Sequence, residues 1–248
     1  MDKMLYIAMN GAKHVELQQQ VTANNLANVH TPGFKAELSA FRALPVVGDG
    51  TPTRAYSVDS TIGHDSSEGA MMTTGNDQDF AIKGRGWFAV QDSTGQEAYT
   101  RGGGFVVDEN GIMRTPLGRV ILGEGGGPIT VPQNTKIMIG EDGTVSSVQT
   151  DQTPRTVDIL DRIKLVGETN GEFYKGTDGL FRRNDGQPAQ ADDGVRVQTG
   201  VIEQSNVSMV DSLTKMISHA RHFDMSVKLM QTADQDAQRA TQLMSVNN

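Results

Sequence analysis

The sequence predicts an α+β protein: paired N- and C-terminal coiled-coil-like helices plus a central, mostly antiparallel β domain. Three observations lead there. The last forty residues hold a glycine- and proline-free run in which apolar side chains return every seven residues. The first thirty repeat that period in smaller residues, and everything from Asp79 to Gln204 consists of short β-type runs divided by turn signals. The boundaries drawn from these patterns are 1–35 for the first helix and its turn, 36–79 for an extended linker region, 80–204 for the β domain and 205–248 for the closing helix.

The opening helix follows from Met1, Ala8, Val15, Thr22 and Val29 at one heptad position and Leu5, Ala12, Gln19 and Leu26 at its neighbour. Such a seam is small and partly polar, and Gly11 costs about 1 kcal/mol against alanine. The helix needs a partner. Asn24, Asn25 and Asn28 supply amides that can bond freed backbone groups where it stops, and Thr31-Pro32-Gly33 then turns the chain before Phe34 and Lys35.

Residues 36–79 show no periodicity. Leu44-Pro45, Gly48-Asp49-Gly50, Thr51-Pro52 and His64-Asp65-Ser66-Ser67 predict extended loops with short strands.

In the β domain, strands are predicted at Phe80–Lys83, Trp87–Gln91, Ala98–Arg101, Phe105–Asp108, Ile112–Thr115 and Val120–Leu122. The series continues at Lys136–Ile139, Thr144–Val148, Val157–Leu160, Ile163–Val166, Glu172–Tyr174 and Val195–Ile202. Between them stand turns ending in Gly95, Gly111, Gly143, Gly179 and Gly186, glycines that supply the positive φ of tight connections. No amphipathic helix intervenes, so the strands are antiparallel.

The closing helix, Val207–Met244, carries Met209, Met216, Phe223, Met230, Ala237 and Met244 on one seam and Leu213, Ala220 and Val227 on a second. Roughly 38 residues make a rod of about 57 Å. Its Met and Phe knobs are expected to meet the small row of the opening helix, leaving the other edge of the pair for adjacent molecules.

Composition excludes several functions. A net charge of −8 over 248 residues offers no footprint for nucleic acid or an anionic membrane. The acid excess is central: residues 1–35 carry +1 and residues 205–248 are neutral, leaving the middle at −9. Cysteine is absent, so no disulfide or thiolate chemistry exists. Neither a signal peptide nor a membrane span is expected at the start. Gly123–Gly127 lacks the Lys-Ser/Thr of a phosphate loop and precedes Pro128 and a strand, so it reads as a flexible turn. His219 and His222 stand three apart on a helix without a third metal ligand. No aspartate-glycine turn completes a calcium loop, and no serine lies in a nucleophile elbow. Neither cofactor nor catalysis is expected.

The string ANNLANVHTPGFK, Ala23–Lys35, resembles the signature that follows the first helix of bacterial flagellar axial proteins, the rod, hook and hook-associated group. TGNDQDFAIKGRGWFAVQ (Thr74–Gln91) and YTRGGGFVVDENGIMRTPLGRVILG (Tyr99–Gly123) are similar to blocks of the same family, with two departures: Gln78 where proline or another residue is common, and Gly103 where serine, alanine or asparagine is more usual. Ser205-Asn206-Val207 opens the last helix in a similar way. The run Met216–Met244 looks more like the proximal-rod member than the distal one, and the chain is far shorter than hook proteins. The resemblance implies a structural subunit of the basal-body rod, exported through the flagellar type III apparatus without cleavage and assembled in the periplasm. It further implies a helical tube with other rod proteins and copies of itself, built by lateral packing of terminal helices, with no nucleic acid and no membrane insertion. On this reading the assembly interface comprises Leu5, Ala8, Ala12, Val15, Leu26, Val29 and the apolar seam residues of the closing helix, whose arms fray in the monomer. The alternatives are a distal-rod or hook-type axial protein, or a secreted β-domain hydrolase with helical extensions.

Overall fold

The computed structural model describes residues 2–45, 55–149, 156–168 and 173–246. Among the described residues, two helices bracket seventeen strands. The order is α1 (Asp2–Ala27), β1 (Glu37–Pro45), β2 (Ala55–His64), β3 (Met71–Thr73), β4 (Phe80–Lys83), β5 (Trp87–Gln91), β6 (Glu97–Thr100), β7 (Val106–Val107), β8 (Met113–Arg114) and β9 (Val120–Ile121). Then come β10 (Thr135–Ile139), β11 (Thr144–Gln149), β12 (Val157–Arg162), β13 (Leu165–Val166), β14 (Phe173–Lys175), β15 (Phe181–Arg183), β16 (Arg196–Thr199), β17 (Val201–Glu203) and α2 (Met209–Val246). The α+β class and the helices at the two ends are as the sequence predicts. Gly48, Asp49, Gly50, Thr51 and Pro52, expected as loop, lie outside the described residues.

The chain divides into two compact units. One comprises residues 1–28, 37–63 and 207–248, and the other residues 29–36 and 64–206.

In the first unit α1 and α2 pack along each other, and β1 pairs with β2. Strand β1 is tied to α1 by the Asn25 side chain. Its Oδ1 accepts from Glu37 N at 2.8 Å and its Nδ2 donates to Glu37 O at 3.0 Å, the two bonds a neighbouring strand would make. Phe41 of β1 meets the His14 ring edge-on at 5.1 Å.

The second unit is β. Its largest sheet runs β14-β15-β6-β5-β9-β8-β7 with β13 alongside β5, and β10-β11-β12 forms a meander. The returning segment β16-β17 pairs antiparallel with β4 and β3. The predicted strand Val195–Ile202 is therefore two strands. Gly200, at φ 74°, breaks it, and its carbonyl receives the N–H groups of Thr74 and Gly75. Strand β15 escaped prediction because Phe181-Arg182-Arg183 is too short and charged to alternate. The five turn glycines 95, 111, 143, 179 and 186 all have φ between 67° and 87°, as their sequences demand. The core gathers Phe80, Ile82, Phe88, Phe105, Met113, Ile121, Val145, Ile163, Val195 and Val197, all buried. Phe80 and Phe88 meet edge-to-face at 4.9 Å.

Candidate assembly surface

Helix α1 buries Ala8, Ala12 and Thr22, three small residues on one stripe. What they meet on α2 differs from the pattern of apolar residues. The buried and half-buried row there is Ser212, His219, Ser226, Ala233 and Ala240, a strict heptad one residue before the expected Leu213, Ala220 and Val227. Leu213 and Ala220 are exposed, and Val227 is half-buried. Size selects this seam. A Cβ added to Gly11 would stand 3.9 Å from Ser226 Oγ, so the two backbones approach through residues with almost no side chain.

Polarity costs this seam little because its hydroxyls bond backward along their own helices. Ser212 Oγ donates to Ser208 O at 2.8 Å, Ser226 Oγ to His222 O at 3.0 Å, and Thr22 Oγ1 to Gln18 O at 2.8 Å. His219 is the one ionisable member. Burial, with His222 and Lys215 nearby, holds its imidazole below the usual histidine range.

The large apolar residues are distributed otherwise than expected. Met216, Met230 and Ala237 are half-buried at the flank of the seam, whereas Met209 and Phe223 stand exposed. Met244 belongs to the helix, but its side chain is outside the described residues. On α1, Val15 and Leu26 are half-buried and Leu5 is exposed beside Tyr6, Ile7 and Met9. Val29 lies past the helix end, half-buried in the turn.

A second face of α2 emerges that sequence analysis only partly identified. Val210, Leu213 and Ile217, at i, i+3 and i+7, are 75%, 45% and 57% exposed. At about 100° per residue they point roughly away from the seam. Beyond Ala220 the same direction carries Asp224, Lys228, Gln231 and Gln235, so this face is apolar for three turns only. Asp211 and Lys215 pair at 2.6 Å beside it.

The signature residues have local roles. Asn28 Nδ2 donates to Asn24 O at 2.9 Å and to Asn24 Oδ1 at 2.8 Å, closing the end of α1, while Asn24 and Asn25 reach Glu37. In the β unit, Thr31, Pro32, Gly33, Phe34 and Lys35 form the turn that docks on the sheets. Gly33, at φ 69°, would place a Cβ 2.2 Å from Gly102 N, so no side chain fits between the turn and the Arg101–Gly102 backbone. Gly103 is as tight, with a Cβ 1.5 Å from Phe80 O. That accounts for glycine at one of the two positions where the resemblance departs. Phe34 is capped by Lys175 Nζ, 3.5 Å from its ring centroid.

Lys35 leads to the feature the sequence reading missed. Its ammonium donates to Glu203 Oε1 at 2.8 Å and to Ser67 O at 2.6 Å. Glu203 Oε1 also accepts from Gly69 N at 3.0 Å, and its Oε2 from Arg101 Nε at 2.7 Å. The Arg101 guanidinium is completed by Gly84 O at 2.7 Å and Gly86 O at 2.9 Å. All three charged side chains are at most 3% exposed. One carboxylate thus joins the turn after α1, the Tyr99-Thr100-Arg101 block and the strand before α2. In the structure Val201, Ile202 and Glu203 alternate buried, half-buried, buried, so Glu203 shares the inward face with Val201, which the sequence Val-Ile-Glu does not signal.

Among the described residues no group of histidines and carboxylates could hold a metal, and no helix is long and apolar enough to cross a membrane.

Comparison with known proteins agrees with this layout. A family model for flagella basal body rod proteins matches residues 5–35, one for the D1 domain of flagellar hook proteins FlgE/F/G matches 81–147, and one for the C-terminal region of flagellar basal body rod FlgEFG proteins matches 198–243. The flagellar basal-body rod protein FlgF of Escherichia coli K12 is 43% identical over 253 residues, and that of Salmonella typhimurium 41%, each alignment covering 100% of both chains. The basal-body rod protein FlgG of Buchnera aphidicola (Schizaphis graminum) is 32% identical over 261 residues, 96% of this chain and 98% of its own. Likeness at this level along the whole length, on a fold with helices at both ends and a β centre between, is decisive: the chain belongs to the flagellar basal-body rod protein family, in its FlgF group.

Proposed function

We propose that this chain is a structural subunit of the proximal rod of the bacterial flagellar basal body, where it crosses the periplasm. It is a packing protein and not an enzyme. Its relatives bear the name of rod proteins, and the family membership brings that role here. The rod is built by side-by-side stacking of helix pairs, with other rod proteins and copies of this chain as neighbours. The chain reaches its place through the flagellar type III export apparatus.

The observation that carries this reading is the three-turn apolar face of Val210, Leu213 and Ile217, turned away from the α1 seam. Fully covering a leucine or isoleucine is worth about 1.5–3 kcal/mol, so an uncovered row of them favours a neighbour. Contacts that repeat without closing into a ring extend a tube. Met209, Phe223 and Leu5, exposed at the edges of the pair, widen the area available.

Ile217→Asp tests it in cells lacking the native gene. The variant is expected to leave the β centre folded, with an unchanged Trp87 fluorescence transition, while abolishing incorporation into purified basal bodies and swimming. Normal incorporation would remove this face from the interface. Amide exchange on the isolated monomer is a second test, with α1 and α2 expected to exchange far faster than β5 and β6.

A further inference from the structure

We propose that Glu203 is a folding latch of the β unit: its carboxylate closes that unit last, and until it arrives the unit stays open. The geometry makes it late. Hairpins such as β5-β6 and the meander β10-β11-β12 join strands separated by a handful of residues. Glu203 instead reaches Gly69, Arg101 and Lys35 across 134, 102 and 168 residues. Closing such loops carries the largest entropy loss in the unit and is rewarded only when every partner is in place.

Charge makes it conditional. Burying the carboxylate is unfavourable without its cations, and each cation is unfavourable to bury without it. Arg101 is placed beforehand, because the carbonyls of Gly84 and Gly86, which hold its guanidinium, lie within the β4–β5 segment. The latch also carries backbone. Gly33 N donates to Glu203 O at 2.8 Å and Gln204 N to Ala70 O at 2.9 Å, so its arrival docks the turn after α1 and the start of β3 together. Strands β3 and β4 have no strand partners among the described residues except β17 and β16. The unit therefore closes only when the residues just before α2 have come back.

Urea chevrons of the full chain, followed by the fluorescence of its single tryptophan, Trp87, test the proposal apart from any rod assembly. Glu203→Gln removes the charge and keeps the shape. It is expected to speed unfolding by roughly two to three orders of magnitude while changing refolding by less than about twofold, the behaviour of contacts formed after the transition state. Should that variant not fold, Lys35→Met retains the Glu203–Arg101 pair and is expected to show the same asymmetry at about tenfold or more. Refolding that slows in proportion to the lost stability would make Glu203 part of the nucleus and overturn the latch. Unfolding left at the wild-type rate by either variant would overturn it equally.

Discussion

The two units solve the same packing problem with opposite materials. In the β centre, large side chains are inside: Phe80, Phe88, Tyr99 and Phe181 are almost wholly buried, and the Glu203 carboxylate is buried in the same unit against Lys35, Gly69 and Arg101. In the helix pair, small side chains are inside and many large ones are outside, with Ala8, Ala12 and Ser212 buried while Val210, Ile217 and Met225 are exposed. The centre closes a core of its own within one molecule, although Leu117, Val157 and Ile159 on its surface stay exposed. The pair has covered only its narrow seam, and its remaining apolar surface fits a helix that is one layer of something larger.

Substitution should separate the two. The largest effect is expected in the centre, where Phe80→Ala deletes a ring 1% exposed that packs edge-on against Phe88. A loss of about 3–5 kcal/mol in the urea transition of Trp87 fluorescence is expected, with helical circular dichroism retained if the units unfold separately. Equal loss of both signals would show one cooperative molecule and erase the distinction. The next effect belongs to the seam. Ala12→Leu forces a branched side chain where α1 buries a methyl group, costing about 1–3 kcal/mol. It should appear as lost helicity at unchanged Trp87 emission. An Ala12→Leu variant as helical as the parent would mean that small size is not what the seam requires.

These contrasts explain which parts of the molecule the sequence displayed. The centre was legible because tight turns and strand alternation are local: Phe80–Lys83 and Trp87–Gln91 are the strands predicted, residue for residue. Helix extents were legible for the same reason. Strands β1 and β2 were expected only as short strands within extended loops; Tyr56, Val58 and Ile62 do alternate with Ser57, Asp59 and Thr61, but β1 is anchored by the amide of Asn25, a contact no period can signal. The seam of α2 was misplaced by one residue because hydrophobicity was used to find it, whereas close approach chose Ser212, Ser226 and Ala233. Glu203 was overlooked because its partners lie up to 168 residues away. The family resemblance, carried by strings at three places in the chain, located the rod-like character that spacing alone left open.

Acid should reveal the smallest difference, because each unit contains a histidine whose pKa burial lowers. His64, in the β unit, lies against Phe181 and Trp87 with ring centroids 4.8 and 6.1 Å away, and burial lowers its pKa, aided by Lys175 and Lys35 and opposed by Glu168 and Asp65. His219 is lowered by burial in the helix seam, by His222 and by Lys215. In both, the unfolded chain takes up the proton first, near the ordinary histidine value of about 6.5. Stability is therefore full above that pH and declines as pH falls below it. Asp92 acts lower. Burial raises its pKa, but bonds from Thr94, Arg182 and Gln96 outweigh this and hold the carboxyl well below the ordinary value of 3.8, so its contribution persists until pH falls under that value. Between about pH 4.5 and 6.5 the two histidines thus act without it. His64→Gln should flatten the pH dependence of the Trp87 transition in that window and leave that of helicity intact, and His219→Gln should do the reverse. If either substitution flattened both, protonation in one unit would be felt in the other, and the centre and the pair would have to be treated as a single titrating body.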